Sequence, residues 1–380
     1  MDLSDYRRQI DEVDGQLIRL FARRMEISAD IGAYKKEHGL PVLNAEREKE
    51  KLAAAAAASP EEFADYTRVL FSLLMELSRS YQTRLNGTDT GLTDRVAAAV
   101  SGTPAVFPAK ATVACQGVRG AYSQLACDRI FPDADIFYYP TFDAVFDAIE
   151  RGECRYGVLP VENSTAGTVH SVYDAMMRHR FHIVRGVKLK VEHNLMASPG
   201  ASLAGVKEIW SHEQAISQCS AFLSRLENVR VVPRSNTAEA ARLVAESGRT
   251  DVASISSLAC ADAYGLTCLV PGIQNMETNY TRFVCISRDL EIYADADRTS
   301  LMVILSHEPG SLYRMLSRFY ALDINLIKLE SRPLPDRDFE FMFYFDLDAS
   351  VHSPRLLRLL GELKDGCESF TYLGSYSEVI

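Results

Sequence analysis

The sequence predicts three domains of different fold class: an all-α N-terminal domain, a central α/β domain that can form two lobes, and a C-terminal α+β domain. The first part of the chain has apolar residues at helical spacing and no strand pattern. The central part alternates short apolar runs with helical stretches, and the last part reads β-α-β-β-α-β. A length of 380 residues agrees with two or three domains of roughly 100–200 residues each.

Composition and charge exclude several classes of protein. The formal charge is -10, from 51 acidic and 41 basic residues, so a nucleic-acid-binding surface is not expected. The N-terminus lacks the pattern of a secretory signal, and no apolar run is long enough to span a membrane. The eight cysteines are scattered without a Cys-x-x-Cys pair. We therefore expect a cytoplasmic protein with reduced thiols and no structural metal.

Residues 1–88 are predicted to form the all-helical domain. Apolar residues recur at steps of three and four from Ile10 to Ile31, and no proline occurs before Pro41. One helix can therefore extend from about residue 4 to 37, roughly 50 Å. Asn44 can cap a second helix, and Ser59-Pro60 can start a third. Two shorter helices cannot cover the whole apolar stripe of so long a helix, which predicts a helical dimer.

Residues 89–109 are predicted to be a linker, because glycine and proline occur there among threonine, aspartate and alanine. Residues 110–288 alternate between β and helical patterns, as in α/β domains with a largely parallel sheet. Folds of this kind bind ligands at the carboxyl ends of their strands. Polar clusters begin at Gly117, Glu162 and Ser211, and another at Asn279 precedes the last strand. Together they indicate a ligand cleft.

Residues 299–380 have the ferredoxin-like element order. Leu301–Leu305 is predicted as the first strand, and Pro309-Gly310 opens the first helix. A second strand follows over 323–331, and Arg332-Pro333-Leu334-Pro335-Asp336 is predicted as a turn. A strand, a helix and a last strand then complete the domain.

Motifs in the helical segment resemble those of the all-helical chorismate mutases. They include Arg7-x-x-Ile10-x-x-x-Asp14, Leu17-Ile18-x-Leu20-Phe21-Ala22-x-Arg24, Gly32-x-x-Lys35, Arg47-Glu48 and Glu76-x-Ser78-x-x-x-Gln82. From spacing alone, a solvated charged face is the simpler interpretation. The resemblance implies an intertwined dimer, with Arg7 reaching the site of the other subunit. It implies that chorismate is bound by Arg7, Arg24, Lys35, Asn44, Arg47, Glu48, Ser78 and Gln82. The family usually has aspartate at the position of Asn44.

The residue types suit the mutase reaction. The rearrangement of chorismate to prephenate is pericyclic and needs no nucleophile, base or metal. The protein must hold the reactive conformer and stabilise the charge that develops as the ether bond breaks. By resemblance, Arg7 and Arg24 clamp the two carboxylates of the substrate, because guanidinium forks match carboxylates. Lys35 and Gln82 are the expected catalytic donors to the ether oxygen, and Glu48 is expected to bind the ring hydroxyl.

The central segment resembles prephenate dehydratases, above all in Val161-Glu162-Asn163-Ser164 and Tyr280-Thr281-Arg282-Phe283. That family has two α/β lobes, like a periplasmic binding protein, with the active site between them. The resemblance implies Thr281 and Glu162 as catalytic residues, and the sequence leaves open which of them protonates the departing hydroxyl. It implies prephenate contacts at Glu162, Asn163, Ser164, Ser211, Gln218, Thr281, Arg282 and Phe283. A serine hydrolase is disfavoured, because the chain has no G-x-S-x-G elbow and no histidine motif.

The C-terminal segment resembles an ACT domain, an amino-acid-sensing module. The similar segments are Pro309-Gly310-Ser311-Leu312 and Leu329-Glu330-Ser331-Arg332-Pro333, the second expected after a strand. In prephenate dehydratases such segments contact L-phenylalanine. The resemblance therefore implies an allosteric site at Gly310, Ser311, Leu312, Glu330, Ser331, Arg332 and Pro333. The family usually has alanine at the position of Ser311. A purely structural dimerisation domain is the alternative.

Together these resemblances imply a bifunctional enzyme of phenylalanine biosynthesis. It would be a chorismate mutase and a prephenate dehydratase, that is, an isomerase and a carbon-oxygen lyase, with feedback inhibition by L-phenylalanine. The expected partners are chorismate, prephenate, L-phenylalanine and further copies of this chain, with no cofactor, metal, nucleic acid or membrane. The alternative is a regulator that senses aromatic ligands without turning them over. That alternative requires lost catalytic groups, whereas Lys35, Gln82, Glu162 and Thr281 are all present.

Overall fold

The N-terminal part of the molecule is a helical domain. The computed structural model describes residues 2–86, 90–335, 337, 340–363 and 367–379. The domain contains α1 (Leu3–Glu37), α2 (Ala45–Ala58) and α3 (Ala64–Asn86). A capping box between Asp2 and Asp5 starts α1, and the Asn44 side chain accepts from the Arg47 amide to start α2. The predicted long helix and the predicted Asn44 cap are therefore confirmed. No helix in the described ranges is long and apolar enough to cross a membrane.

Helix α1 packs on its neighbours only in part. Its C-terminal half lies against α3, where Ser28 and Gly32 are buried. A Cβ at Gly32 would lie 2.9 Å from Gln82 Cγ, so glycine is needed for this close approach. Along the rest of α1 the apolar stripe faces outward, with Leu17 53% and Leu20 68% exposed. The stripe is thus left uncovered by the chain's own helices.

The segment predicted as a linker contains a helix, α4 (Thr90–Gly102). Its Val96 is buried in the core of the C-terminal domain, with Leu92, Ala99 and Val100 packed against the same core. The predicted linker therefore contains a helix whose apolar residues recur at i, i+4, i+7 and i+8, a helical stripe that the flanking glycines and prolines obscured. Tertiary packing then stabilises this helix.

The central domain has two lobes. Lobe 1 is built from β1 (Lys110–Gln116), β2 (Asp133–Tyr139), β3 (Tyr156–Asn163), β4 (Gly167–Thr168) and β5 (His182–Lys190), with α5 (Tyr122–Ile130), α6 (Phe142–Glu150) and α7 (His170–Met176). Lobe 2 is built from β6 (Asn194–Ala197), β7 (Glu208–Ser211), β8 (Arg230–Pro233), β9 (Val252–Ser256) and β10 (Thr267–Val270), with α8 (Glu213–Gln218), α9 (Ser220–Leu223), α10 (Thr237–Ser247) and α11 (Ala259–Tyr264). Strand β11 (Tyr280–Ser287) then returns the chain to lobe 1.

The C-terminal domain follows the predicted β-α-β-β-α-β order. Its elements are β12 (Arg298–Ile304), α12 (Ser311–Ala321), β13 (Asn325–Pro333), β14 (Phe341–Asp348), α13 (Pro354–Leu363) and β15 (Ser369–Tyr376). The antiparallel sheet has the order β13-β14-β12-β15. The short strand β16 (Glu378–Val379) leaves this domain and pairs with β5 of lobe 1. Of the predicted turn over 332–336, Arg332 and Pro333 belong to β13 instead, and Asp336 lies outside the described residues.

The sheets of the two lobes are mixed rather than largely parallel. Lobe 1 has the strand order β16-β5-β11-β3-β1-β2, with β4 beside β3, and lobe 2 has the order β10-β6-β9-β7-β8. Strands β1, β2 and β3 are parallel, but β11 is antiparallel to both β3 and β5. The reason is topological, because the chain enters lobe 2 through 191–193 and comes back through 271–279. These two crossing segments form the hinge between the lobes.

Candidate functional site

A cleft of about 490 Å³ lies between the two lobes. Lobe 1 contributes the start of α5, the ends of β3 and β11, and β4, and lobe 2 contributes the starts of α8 and α10. Of the described residues that line this cleft, none is aspartate, glutamate, lysine or arginine. The cleft is therefore lined by neutral polar side chains, with Phe142 and Phe283 as apolar walls.

Thr281 and Asn163 meet at the floor of the cleft. They face each other in the antiparallel register of β11 and β3, so their side chains lie on the same face of the sheet. The Asn163 amide Nδ2 donates to Thr281 Oγ1 at 2.9 Å, and Asn163 Oδ1 accepts from the amides of Thr165 and Ala166. Because the threonine oxygen accepts from Asn163, its hydroxyl proton remains available to a molecule in the cleft.

A hydrogen-bond chain joins this pair to the hinge and to lobe 2. Asn163 also donates to Asn279 Oδ1 at 2.8 Å, and Asn279 Nδ2 donates to Gln218 Oε1 at 3.1 Å. His193 Nε2 lies 2.8 Å from the same oxygen of Gln218. His193 and Asn279 are each only 2% exposed and lie in the two crossing segments. Burial lowers the pKa of His193, so the neutral ring is favoured.

Two buried polar atoms near the hinge have no partner among the described residues. They are Nε2 of Gln218 and Nδ1 of His193. Both residues line the cleft, so a bound ligand or water could supply the missing hydrogen bonds. The prediction that Gln218 faces the cleft thus agrees with its position.

Glu162 and Arg282, both predicted to bind prephenate, lie outside the cleft. They face each other in the same register of β3 and β11, one residue away from Asn163 and Thr281. Successive side chains of a strand point to opposite faces, so this pair is turned toward the C-terminal domain. Glu162 Oε1 is 2.8 Å from Lys328 Nζ on β13.

Arg282 is held entirely by the C-terminal domain. Its Nε is 2.6 Å from Glu378, its Nη2 donates to the Tyr376 hydroxyl at 2.9 Å, and its Nη1 pairs with Asp346. Burial alone would lower the pKa of Arg282, but its electrostatic interactions with Tyr376, Asp346 and Glu378 raise the pKa well above its usual value. The guanidinium of Arg282 is enclosed by these protein groups and does not face the cleft, so its pairing with a substrate carboxylate stays a prediction.

Two serines predicted to bind prephenate use their hydroxyls in hydrogen bonds within the protein. Ser211 is fully buried, and its hydroxyl donates to the Ile255 carbonyl at 2.7 Å. Ser164 donates to the Thr278 carbonyl and accepts from the Tyr280 amide, which ties β3 to the returning segment. Both serines shape the cleft from outside its lining. Phe283, by contrast, lines the cleft as predicted.

Helix N-termini supply the positive potential that the cleft side chains lack. Tyr122 and Ser123 begin α5, and Asn236 and Thr237 begin α10 on the opposite lobe, and all four line the cleft. The unpaired amides and the dipole of a helix N-terminus favour a carboxylate. The cleft can thus bind an anionic molecule without an arginine.

Several of the predicted chorismate ligands are brought together on α1 and α3. Arg24 donates to the Leu74 carbonyl at 2.8 Å and to Ser78, and burial lowers its pKa. Gln82 donates to Ser28 at 2.9 Å, while its buried Oε1 has no partner among the described residues. The Lys35 ammonium lies 2.5 Å from the Val42 carbonyl. Arg24, Ser78 and Gln82 therefore occupy one helix–helix seam.

The other predicted chorismate ligands do not join that seam within one chain. Arg7 is exposed 17 residues before Arg24 on α1, which is roughly 25 Å along the helix axis. Arg47 points to solvent and pairs with Glu50 at 2.9 Å, and Asn44 is used as the cap of α2. Glu48 pairs with Arg79 of α3.

The predicted effector residues divide between two places. Gly310, with a φ of +83°, forms the turn that starts α12 with Ser311 and Leu312. Glu330, Ser331, Arg332 and Pro333 lie within β13 and not after it, which corrects the prediction. Glu330 accepts from the Thr168 hydroxyl at 2.7 Å, and Arg332 binds Asp174 through two nitrogens at 2.9 and 3.0 Å. Effector-segment residues thus contact lobe 1 directly, and Thr168 itself lines the cleft.

One group of side chains has the composition of a metal site. Ligand atoms of Asp147, Glu150 and His179 lie within 4.8 Å of one another. The ring of His179 also contacts Asp143 at 3.2 Å and stacks on Phe146. Ion pairs and stacking account for this cluster, which is remote from the cleft lining, so we assign it no metal role.

The fold defines a two-lobed α/β domain with a cleft between its lobes, joined to a helical domain. Residues 113–291 match the family model for prephenate dehydratase, and residues 6–83 match chorismate mutase type II. Arogenate dehydratase 2 of Petunia hybrida is 38% identical over 281 residues, which cover 70% of this chain and 71% of the relative. The chain belongs to the prephenate dehydratase family and also carries a chorismate mutase domain. It is an enzyme of aromatic amino acid biosynthesis.

Two solved structures share the fold. A prephenate dehydratase from Arthrobacter aurescens in complex with L-Phe is 28% identical with a TM-score of 0.65, covering 70% of this chain and 89% of that chain. GqqA, described as a novel type of quorum-quenching acylase, is 30% identical with a TM-score of 0.65, covering 70% of this chain and 98% of that chain. The same architecture thus occurs in proteins described with different activities, so the argument for function rests on the site.

Sequence reasoning missed four residues of these sites: His193, Asn279, Thr168 and Arg79. His193 and Asn279 become part of the site only because two distant crossing segments meet at the hinge. The signal available for Asn279 was its place immediately before Tyr280-Thr281. No local pattern marks Thr168, whose partner Glu330 lies in another domain. Arg79 follows Glu76 at i,i+3 on α3, but nothing local indicates its contact with Glu48 on α2.

Proposed function

We propose that this chain is a bifunctional enzyme that rearranges chorismate to prephenate and then converts prephenate to phenylpyruvate, carbon dioxide and water. The observation that carries the proposal is the Asn163–Thr281 pair in a cleft lined without charged side chains. The mutase domain in the same chain would supply the substrate of that cleft. We further propose inhibition by L-phenylalanine at the C-terminal domain, acting as an ACT module.

The neutral cleft suits the dehydratase step. The electrons of the bond between the ring and its carboxylate move into the ring as the bond to the ring hydroxyl breaks. A cation beside that carboxylate would stabilise it and oppose the loss of carbon dioxide, and the described residues of the cleft lining include no lysine or arginine. Thr281 is placed to donate to the departing oxygen, while the N-termini of α5 and α10 can bind the other carboxylate. Glu162 is turned away, which favours Thr281 as the donor.

The mutase reaction would use a second copy of the chain. Arg24, Ser78 and Gln82 form one part of a site on α1 and α3, and the orphaned Oε1 of Gln82 remains for a ligand or a partner. Arg7 cannot reach this site within its own chain, but it can reach the site of a copy that packs on the exposed stripe of α1. The exposure of that stripe in the single chain supports a homodimer, because a large exposed apolar surface favours association. Lys35 and the second N–H of Gln82 Nε2 would then donate to the ether oxygen.

The decisive experiment gives the purified chain chorismate and follows prephenate and phenylpyruvate with time. Prephenate should rise first and phenylpyruvate should follow, and L-phenylalanine should reduce phenylpyruvate formation. Prephenate that accumulates without phenylpyruvate would contradict the dehydratase assignment. A protein that binds both compounds without turnover would instead be the non-catalytic sensor.

The similarity to an arogenate dehydratase favours a second candidate substrate for the same cleft. Arogenate carries an amino acid group where prephenate carries a keto acid. Among its described residues, the cleft lining has no aspartate or glutamate to pair with an ammonium group, which supports prephenate. Measuring kcat/KM for both compounds decides between them, and a larger value for arogenate would overturn our choice.

A further inference from the structure

An ion-pair ladder connects the helical domain to the C-terminal domain. Its central member is Glu76 on α3, which is 4% exposed. Arg318 of α12 binds Glu76 through Nε at 2.7 Å and through Nη2, and Arg79 of α3 binds the other oxygen of Glu76. Burial alone would raise the pKa of Glu76, but Arg318 and Arg79 lower it overall. Glu76 therefore stays ionised and holds both arginines.

The ladder continues to a predicted chorismate ligand. The second nitrogen of Arg79 binds Glu48 Oε1 at the start of α2. Burial alone would lower the pKa of Arg79, but its bonds to Glu48 and Glu76 raise it. Arg79 is thus fixed between two carboxylates, one from each helix. The position of the Glu48 carboxylate depends on where Arg79 is held.

The other end of the ladder is attached to the predicted effector segment. Arg318 is seven residues after Ser311, two turns along α12, and Gly310-Ser311 forms the start of that helix. Nη1 of Arg318 also donates to the Glu362 carbonyl of α13 at 2.9 Å. The Glu362 carboxylate in turn accepts from Ser80 of α3 at 2.5 Å. A groove of about 590 Å³ separates the two domains beside the ladder, and both Glu48 and Ser311 line it.

We propose that Arg79 is a positioning residue of the mutase site and that the C-terminal domain sets its position through Arg318 and Glu76. This inference rests on the mutase activity proposed above. A shift of α12 that accompanies a change at Gly310-Ser311 displaces Arg318, and the displacement reaches Glu48 through Glu76 and Arg79. The dehydratase cleft is connected by a different contact, from Glu330 to Thr168. The two predicted effector segments are thereby linked to different active sites, the start of α12 to the mutase site and β13 to the dehydratase cleft.

The test is steady-state kinetics of both activities in the full-length chain. Arg318→Met should raise the mutase KM for chorismate about tenfold with kcat within about twofold, because a contact made equally in the ground and transition states affects binding alone. Arg318→Lys keeps the charge and should recover part of the KM. Dehydratase KM and kcat should not change in either variant. Arg355→Met is the matched control, since Arg355 is an exposed, ion-paired arginine of the same domain without contact to α3, and it should leave both activities unchanged.

Several results would overturn the inference. An unchanged mutase KM in Arg318→Met would show that Arg318 does not determine the position of the Glu48 carboxylate. Equal losses of both activities would show a general structural defect. If Arg318→Met does not fold, Arg318→Lys carries the test with the same direction and a smaller change. Absence of mutase activity in the unaltered chain would instead refute the proposed function. In Arg318→Met, the L-phenylalanine concentration that half-inhibits the mutase should rise at least tenfold, and that for the dehydratase should stay the same. An equal rise for both activities would contradict the separate links.

Discussion

Replacing Arg282 by methionine separates a structural role from a role in substrate binding. The variant keeps the volume of the side-chain stem and removes the charge. Asp346, which has no exposed side-chain surface, then loses its cation, while Glu378 retains Arg298 at 2.9 Å. Breaking a buried ion pair from one side costs about 3–5 kcal/mol. Asp346 keeps hydrogen bonds from Ser300 and Tyr376, so we expect a loss near the lower end, about 3 kcal/mol.

The assay is urea unfolding followed by circular dichroism, together with the dehydratase KM for prephenate. Arg282→Met should unfold at clearly lower urea, and its KM in the folded state should change less than about threefold. Adding Asp346→Asn removes the uncompensated charge and should recover part of the lost stability, a coupling that a double-mutant cycle measures. Arg155→Met, at an exposed arginine paired with Glu291, is the control and should cost less than about 1 kcal/mol.

The opposite pattern would refute this reasoning. A tenfold or larger rise in KM without a change in the unfolding midpoint would identify Arg282 as a substrate ligand. In that case the guanidinium must leave Asp346 and Glu378 when prephenate binds, and the side chain would have two positions. The unfolding midpoint of the variant would then be expected to match that of the unaltered chain.

Four further predictions follow from the described contacts. Thr281→Val should lower dehydratase kcat about 10²–10⁴-fold, Thr281→Ser should retain most of it, and mutase kcat should be unchanged in both. Lys35→Ala should abolish mutase turnover and spare the dehydratase in the same two assays. Leu17→Glu should convert the proposed dimer to a monomer in light scattering, because it charges the exposed stripe of α1. Because the pKa of His193 is lowered in the folded state, its contribution to stability is complete above the unfolded pKa of about 6.5 and is lost as the pH falls below that value. His193→Gln should therefore reduce the change in urea midpoint between pH 7 and 5.

The helical domain could be predicted in detail because its signals are local. The caps at Asp2 and Asn44 and the spacing of apolar residues depend on neighbours within one or two turns. Helix α4 shows the limit of this reasoning. Its flanking residues Gly102 and Pro104 have the composition of a linker, and only the distant core that receives Val96 makes the helix stable. The direction of β11 was missed for a related reason, since it depends on the chain leaving lobe 1 and returning.

The candidate site shows why a motif match alone could not assign roles. Glu162 and Asn163 are adjacent in one motif, and Thr281 and Arg282 are adjacent in the other. In the paired strands, Asn163 lies opposite Thr281 in the cleft, and Glu162 lies opposite Arg282 against the C-terminal domain. The period of two is visible in the sequence, but which face meets the substrate is decided by where the C-terminal domain packs.

In each motif, two neighbouring residues therefore face different surroundings, one the cleft and the other the C-terminal domain. A change in the register pair Asn163–Thr281 acts on the proposed donor to the substrate, and should alter kcat with little effect on the contact between domains. A change in the register pair Glu162–Arg282 acts on the attachment of the C-terminal domain, and should alter stability or the response to an effector with the chemistry intact. Because Lys328 reaches both Glu162 and Thr168, at 2.8 and 3.2 Å, the second pair also lies beside the contact between the effector segment and the cleft. Strand alternation would thus allow one short motif to serve the proposed catalysis on one face and the proposed communication between domains on the other.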